Sequence, residues 1–541
     1  MLDRFAERVL PVWPRLRQHV VHGDFNLDNV LLDNDDRVSG IVDFGDTGFS
    51  AQAGDLAVAV ASLMRGRPAD DVFRIGRIAI DGYESQLPLE PDERAVLADL
   101  VAARLAAIVT ISAWRVERYP ENAHYIQAWD ADSWELLELF ADADVTGELG
   151  LARPAVETKA LVQRRRRVLG AALTPLTYDE PVHVDRGQGV WLFDADGRRL
   201  LDAYNNVPVV GHCHPRVTEA VVRQTRQLNT HARYLYEPLI ELAERLAATM
   251  PAGSGLDTVM LLNSGSEANE LAWRLATTVT GNTRALVTEH AYHGVTTTIA
   301  DLSPEEWPAG YDPPYVMRIR PPDLVREIDT LAATFVDVGF TSDGIWAVPP
   351  ERLRSLVDAT HAAGGLFVAD EVQVGHGRCG EHLWAFARYG ITPDVVTLGK
   401  PMGNGYPVAA VVTRAELFER FGERRHVFST FGGNPVAAQA ALAVLDVLED
   451  ERLVENARRV GSYMHESLEA LGLPVRSLGL LVGVELESAE RAEEVVDGLR
   501  RRGILIGRTG RDDNVLKIRP PLVFREEHAD LLVGALRAVY P

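Results

Sequence analysis

An α/β protein with a mainly parallel sheet, a smaller α+β part behind it and a mostly helical segment in front is what this 541-residue sequence predicts. Three observations carry the prediction. From Tyr178 onward, short apolar runs (TVMLL, RALVT, ATFVDV, GLFVAD, DVVTL) alternate with amphipathic stretches such as EANELAWRLATTV and PPERLRSLVDATHAA. Strands separated by helix-length segments favour parallel pairing, with helices covering both faces. The closing stretch, LLVGVELE, ERAEEVVDGLRRRG, ILIGR, NVLKIRPP and REEHADLLVGALRAVY, mixes both periods on a smaller scale. Residues 1 to about 145 read differently: a strand pair brackets HGDFNLDNVLLDNDDRVSGIVDFGD, and helices such as PDERAVLADLVAARLAAIVTISAWRVERY follow.

Between these parts, residues 146–170 lose both periods and read as a linker, with Arg164 to Arg167 as a solvated helix face. Length alone calls for more than one core. The expected domains are therefore 1–145 and 171–541, the second split into a large part at about 211–440 and a small part at about 171–210 plus 441–541. A formal charge of −23 disfavours nucleic acid and anionic membranes as partners. Two cysteines, Cys213 and Cys379, form neither a disulfide framework nor a metal-ligand spacing. The first residues lack an apolar signal core, and apolar stretches such as LAVAVASLM fall short of a membrane span. A cytoplasmic protein is expected, with no metal site.

Only three lysines occur, Lys159, Lys400 and Lys517, which leaves 52 arginines among the 55 basic residues. Arginine stays protonated, so chemistry needing a nucleophilic amine has three positions to choose from. Lys159 lies in the linker, and Lys517 alternates with apolar residues in NVLKIRPPL. Lys400 ends an apolar run and precedes a Gly/Pro-rich turn, which presents a side chain at the rim of a sheet.

Other strand ends supply what a phosphorylated pyridine cofactor held by Lys400 needs. TVMLLN runs into Ser264-Gly265-Ser266-Glu267, whose amides at a helix start suit a phosphate; Ser264 and Glu267 also have capping-box spacing. RALVT ends in EHAYHG, offering Tyr292 or His293 to stack on a ring, and LFVAD ends at Asp370, a carboxylate able to pair with a pyridinium nitrogen.

The segments SGSEAN, HAYHG, ADEVQVGHGR, TLGKPMGNG and STFGGNP resemble the signatures of class III pyridoxal-phosphate enzymes of aminotransferase fold, from about Leu169 to the C-terminus. The resemblance implies fold type I, with a mainly parallel seven-stranded sheet and a small α+β C-terminal domain. It implies Lys400 as the Schiff-base lysine and Asp370 as partner of the ring nitrogen. Gly265 and Ser266 would bind phosphate, Tyr292 would stack, Val372 would pack on the opposite ring face and Gln373 would reach the ring hydroxyl. Thr430 would reach the phosphate of a neighbouring subunit's cofactor, so a homodimer with shared active sites is implied.

Within that class, NNVPVVGHCHP, LNTHARYLYE, DEVQVG, LWAF and DDNVLKIRPPL resemble the phospho-lyase branch. A lyase eliminating phosphate and ammonia from a small O-phosphorylated amine or amino acid is the leading expectation. An aminotransferase or epimerase using the same lysine, and a decayed fusion serving as a scaffold, are the alternatives. Arg233, Arg519 and Asn206 are candidate substrate-binding residues, the guanidinium fork matching phosphate or carboxylate. The stretch from Trp307 to Asp337 is shorter than its family counterpart, and VDVGFTSDG leaves Asp337 where a glutamate is expected.

His22-Gly23-Asp24-Phe25-Asn26-Leu27-Asp28-Asn29, followed by Ile41-Val42-Asp43-Phe44-Gly45, resembles the catalytic and metal loops of aminoglycoside- and choline-type phosphotransferases. In that family Asp24 would be the base, with Asn29 and Asp43 holding magnesium at the nucleotide phosphates. Only 21 residues precede His22, without lysine or glycine. A C-lobe lacking its N-lobe is therefore expected, binding no Mg-nucleotide by itself and inactive unless a partner supplies that lobe. A kinase-like lobe beside a phosphate-eliminating enzyme suggests two successive steps.

Overall fold

The computed structural model describes residues 2–35, 37–151, 158–170, 172–173, 176–324 and 328–540. The chain divides into two compact units, Met1–Glu157 and Thr158–Pro541. In the first, strand Gln18–Val21 pairs antiparallel with Gly48–Ala51, the bracketing pair read from the sequence. Inside it lies a second hairpin, Val30–Leu32 with Val38–Ile41, which the sequence reading did not separate. Helices Gln52–Met64, Ala69–Glu84, Pro91–Arg118 and Asp130–Asp142 bury Leu56, Val60, Met64, Ile80, Leu105 and Phe140 in one core. Helix Pro91–Arg118 is long and apolar enough to cross a membrane by length and composition. Its Val96, Leu97, Leu100, Val101 and Leu105 are instead buried within this unit.

The region expected as linker holds the one-turn helix Val145–Glu148 and the helix Thr158–Leu169, which buries none of its residues and carries Arg164 to Arg167 on exposed or half-buried positions. Residues 152–157 of that region lie outside the described residues.

The second unit is built on a seven-stranded sheet in the order Val316–Ile319, Ala285–Thr288, Ala333–Val336, Leu366–Asp370, Val395–Leu398, Ala409–Thr413, Thr258–Leu262. Ala409–Thr413 runs antiparallel to both neighbours, and the other six share one direction. Four of the strands are buried at every residue, and three of them, Ala285–Thr288, Ala333–Val336 and Val395–Leu398, read from the sequence as apolar runs rather than as alternation. Helices Gly265–Thr280 and Pro350–Ala362 cover the sheet where their amphipathic sequences predicted helices. Two strands of this sheet went unread: the edge strand Val316–Ile319, broken by the exposed Arg318, and Ala409–Thr413, which follows a turn.

Smaller sheets complete the unit. Val475–Leu478, Leu481–Glu485, Val515–Ile518 and Gly507–Thr509 form an antiparallel sheet, and Ile504–Leu505 joins Arg199–Asp202, Trp191–Asp194 and Val184–Gln188. The run ILIGR thus serves two sheets. The four-stranded antiparallel sheet meets the loop after Ala333–Val336: Thr509 Oγ1 donates to Thr341 O at 2.7 Å, and a Cβ on Gly483 would come 3.2 Å from Ile345 Cβ.

Asp394 fixes the entry of the central strands. Its carboxylate accepts from Phe367 N at 2.8 Å and Arg414 Nη2 at 2.7 Å and lies 2.8 Å from His361 Nε2, while Asp394 itself is 4 % exposed. Hydrogen bonds to a charged group contribute about 1.5–3 kcal/mol, and a donor left unpaired costs more than a pair removed together. Asp394→Ala is expected to destabilise the protein by about 2–3 kcal/mol in urea unfolding, with His361→Ala costing less because that imidazole is half exposed.

Candidate active site

Because six strands share a direction, the loops that leave their C-terminal ends gather on one rim. There they enclose a cavity of about 300 Å³. After Thr258–Leu262, Ser264 caps the helix Gly265–Thr280, its Oγ accepting from Glu267 N at 3.2 Å. Glu267 Oε2 reaches back to Asn263 N and Asn263 Nδ2 at 2.9 Å each. The Ser264 half of the capping box is therefore present, while Glu267 accepts from Asn263 rather than from Ser264 N. This cap leaves the amides of Gly265 and Ser266, the first two helical residues, without intrahelical acceptors, and both residues line the cavity. Backbone N–H groups and the helix dipole together make an anion site.

Two glycines keep the cavity open. A Cβ on Gly265 would come 2.9 Å from Val372 Cγ1, and one on Gly399 would come 3.3 Å from Gly265 Cα. After Ala285–Thr288 the chain places Tyr292 in the wall, its ring centroid 5.6 Å from Lys400 Nζ. His293 also lines the cavity, but its Nδ1 is spent on Asp370 Oδ2 at 2.7 Å. Of the two stacking candidates, Tyr292 has the free ring.

Asp370 ends its strand at 3 % exposure, and a carboxylate so far from water needs donors. Oδ2 accepts from Asn269 Nδ2 at 2.9 Å besides meeting His293, and Oδ1 accepts from Val372 N at 3.0 Å. Asn269 also donates to His293 O at 2.7 Å, tying helix, loop and strand together. The sequence reading missed Asn269; a polar residue among the buried Ala268, Leu271 and Ala272 was the available signal. Glu371 turns away from the cavity and accepts from Ala385 N and Phe386 N at 2.9 and 2.7 Å. Burial pushes its carboxyl up to about 8.

Gln373 lines the cavity and is held twice: Asn206 Nδ2 donates to its backbone oxygen at 3.3 Å, and Arg519 Nη1 donates to its Oε1. Arg519 Nε meanwhile donates to Tyr204 O at 3.1 Å. Asn206 and Arg519 thus stand behind Gln373 and not in the cavity wall. Arg233 is exposed and stacks its guanidinium 4.1 Å over Phe428, and Thr430 is exposed on the same loop; neither lines the cavity.

Lys400 follows Val395–Leu398 and projects into the cavity. Desolvation, helped by the nearby Arg519, pushes its amine down to about 8, against the pull of Asp370, Asp337 and Glu305. Asp337 shares the wall, but its carboxylate is consumed locally: Gly339 N and Thr341 N donate at 3.0 and 3.2 Å, and Thr341 Oγ1 donates as well. The shorter aspartate at the glutamate position closes its own turn. Tyr406, Pro407 and Val408, from the turn after Lys400, complete the wall and were not anticipated.

These residues fit a phosphorylated aromatic aldehyde. Unfilled helix amides, side-chain-free glycines, a desolvated amine and a buried carboxylate converge, and Thr397 Oγ1 is a buried hydroxyl with no partner among the described residues. In the first unit Asp24 is occupied otherwise. Arg104 Nη2 donates to its Oδ1 at 2.5 Å and Asn26 Nδ2 to its Oδ2 at 2.9 Å, while Asn29 Nδ2 donates to its backbone oxygen at 2.9 Å. Asp43 is exposed in a left-handed conformation, φ 61°.

Residues 1–85 match the phosphotransferase enzyme family, and residues 175–540 match aminotransferase class-III. Among curated proteins, the chain is 36 % identical over 437 residues to ethanolamine-phosphate phospho-lyase homolog 1 of Caenorhabditis elegans, covering 70 % of this chain and 92 % of that one. It is equally 36 % identical over 419 residues to an alanine–glyoxylate aminotransferase 2-like protein of Drosophila melanogaster, covering 68 % and 84 %. Among solved structures it is similar to a phospholyase from Arthrobacter in complex with phosphoethanolamine, with TM-score 0.67 and 38 % identity over 70 % of this chain and 99 % of that one. An ornithine aminotransferase from Toxoplasma gondii with PLP at its active site matches with TM-score 0.63 and 27 % identity over 71 % and 95 %. A lysine amine, a buried carboxylate and an open helix terminus on one rim, within a stretch that matches over 175–540, make this chain a member of the class III aminotransferase family of pyridoxal-phosphate enzymes.

Proposed function

We propose that this enzyme is a phospho-lyase that eliminates phosphate and ammonia from a small O-phosphorylated amine or amino acid, with phosphoethanolamine as the first substrate to try. One observation carries the reading: the cavity holding Lys400 and Asp370 belongs to a chain 38 % identical, over nearly the whole of the other protein, to a phospholyase in complex with phosphoethanolamine. Lys400 would hold pyridoxal phosphate in the resting enzyme and be released when the substrate amine takes its place; the cofactor would then supply an electron sink for the pair left when a proton leaves the amine-bearing carbon.

The rest is work for the chain's own side chains. The amides of Gly265 and Ser266 would hold the cofactor's phosphate, Tyr292 and Val372 would confine its ring, and Gln373 would meet its hydroxyl. Asp370, fixed by Asn269 and His293, would keep the ring nitrogen protonated. Lys400, lowered to about 8, is a base of suitable strength for the proton on the amine-bearing carbon. The C–O bond at the neighbouring carbon breaks with its electron pair going to phosphate, and water converts the released enamine to a carbonyl compound and ammonia.

A homodimer belongs to the same reading, with Thr430 reaching the neighbour's cofactor phosphate. Exposed Tyr234, Leu235, Val295 and Phe431 support it, since large apolar residues left exposed on loops favour burial against another chain. A reducing, cytoplasmic setting suits Cys213 and Cys379, both free. The first unit is proposed to lack phosphotransferase activity, because Asp24 is held in an ion pair with Arg104.

The purified holoenzyme is expected to release phosphate and ammonia from phosphoethanolamine in equal amounts. Lys400→Ala should abolish the visible cofactor band and lower turnover at least about a thousandfold. Absence of both products, together with conversion of the cofactor to its amine form by an amino donor and its reversal by a keto acid, would establish the aminotransferase reading instead. With ATP, magnesium and ethanolamine or choline, no ADP is expected to form; stoichiometric ADP and phosphoamine would overturn the assignment of the first unit.

A further inference from the structure

The rim that carries the active site holds a second cavity, also of about 300 Å³, which the reading above does not use. Its position follows from the order of the strands. Ala285–Thr288 and Ala333–Val336 are neighbours, yet the chain leaves the first for Val316–Ile319 on one side and the second for Leu366–Asp370 on the other. Connections that diverge from adjacent parallel strands open a crevice beyond their C-terminal ends, and open sheets of this kind take ligands in such crevices. Glu289 and His290 follow the first strand into the cavity, Asp343 and Trp346 follow the second, and Arg320 follows Val316–Ile319. Arg476, from the small antiparallel sheet, and Arg511, from the turn before Val515–Ile518, complete the wall.

These charges are of both signs and unevenly satisfied. Arg476 is committed: Nη1 donates to Glu485 at 2.6 Å, Nε donates to Gly344 O at 3.2 Å, and the guanidinium lies 4.2 Å over the Trp346 ring. Arg320 is exposed, and its guanidinium has no hydrogen bond or ion pair among the described residues. Arg511 meets Glu289 at 3.6 Å, beyond hydrogen-bond reach. Asp343 is the fixed acid. Its Oδ2 accepts from Thr288 Oγ1 at 2.5 Å and its Oδ1 from His290 N at 2.9 Å, which leaves acceptor capacity on both oxygens. Burial keeps the His290 ring neutral, so it adds no charge. The exposed Asp323 and Asp512 also line the cavity. A lone anion would meet these carboxylates and a lone cation the guanidinium groups, so a molecule carrying both charges suits the lining.

We propose that this cavity binds a small zwitterion, an amine joined by a short chain to a carboxylate, phosphate or phosphonate. Arg320 and Arg511 take the acid end, the guanidinium fork matching its oxygens, and Asp343 and Glu289 take the ammonium. The site follows from its own lining and stands whichever reaction Lys400 performs.

Titration calorimetry of the holoenzyme with 2-aminoethylphosphonate, whose C–P bond offers no phosphate to eliminate, provides the test when the visible cofactor band is followed alongside. Binding at the active site displaces Lys400 and alters the band, whereas binding in the second cavity leaves that lysine in place. The wild type is expected to show a band-silent uptake of one molecule per chain. Arg320→Ala/Arg511→Ala should weaken that event at least about tenfold and leave any band-changing event as it was. β-Alanine should compete for the band-silent site, and inorganic phosphate or ethylamine, each with charge of one sign, should bind there at least about tenfold more weakly. A band change accompanying every binding event, a band-silent event undiminished in the double variant, or phosphate binding as tightly as aminoethylphosphonate overturns the assignment. If the double variant does not fold, Arg320→Ala decides alone, because that guanidinium holds no other described residue. Phosphate release enters none of these readouts, so failure of the lyase reading and failure of this site are told apart.

Discussion

The rest of the second unit depends on one buried carboxylate. Asp370 ends the central strand with almost no exposure, and an ionised carboxylate removed from water costs several kcal/mol unless donors replace the lost hydration. Its replacements come from three directions: Asn269 from a helix, His293 from a loop and Val372 from the chain just beyond it. Each donor is placed by an element whose own position is fixed elsewhere, so holding this charge in the interior ties helix, loop and strand to one geometry. The neighbouring parallel strand then delivers Lys400 to the same rim. Neither Gly265 nor Gly399 could carry a side chain without forcing Val372 and the helix start apart.

The small antiparallel sheet takes part in that geometry. Its residues Thr509 and Gly483 meet the turn that contains Asp337, and Arg519 crosses to Gln373, three residues after Asp370. A shift of this sheet would therefore reach the cavity wall by two routes. Asp337 illustrates the consequence: its carboxylate closes the turn against which the sheet packs, using Gly339 and Thr341 as donors. What the sequence presents as a shortened acidic residue at a substrate-side position is, in the fold, a residue that shapes the seat of the small sheet.

Sequence periodicity revealed the central strands because both faces of a covered parallel sheet are apolar, and it revealed Lys400 because so few lysines competed. It did not reveal Val316–Ile319, an edge strand with an exposed Arg318, or the inner hairpin at Val30–Leu32, whose Leu31 and Leu32 are exposed. Asn269 was hidden inside an otherwise ordinary amphipathic helix. The burial of Lys517 was hidden for a more general reason. Alternation along NVLKIRPPL marks one face as polar, and local sequence cannot say whether a polar face meets water or another part of the protein. Here the cross-strand neighbours of Lys517, Gly507 and Gly483, lie against Tyr204 and Ile345. The arginines posed the inverse difficulty: with 52 of them, type alone could not separate Arg519, buried on Gln373, from Arg233, exposed on Phe428.

Desolvation is what distinguishes the two sets of catalytic-looking residues in this chain. Around Lys400 the charges are enclosed, so each field acts at low effective dielectric and a single neighbour can change which groups carry protons. Lys400 and Lys517 are both driven toward neutrality there, and Glu371 is driven the same way from the acid side. Asp43 of the first unit lies open to solvent, where salt and water screen a carboxylate's influence within about 8–10 Å, and Asp24 is already neutralised by Arg104. Side-chain identity is retained at both places. The second unit combines identity with enclosure, and enclosure is what lowers the amine of Lys400 and holds the carboxylate of Asp370 on fixed donors.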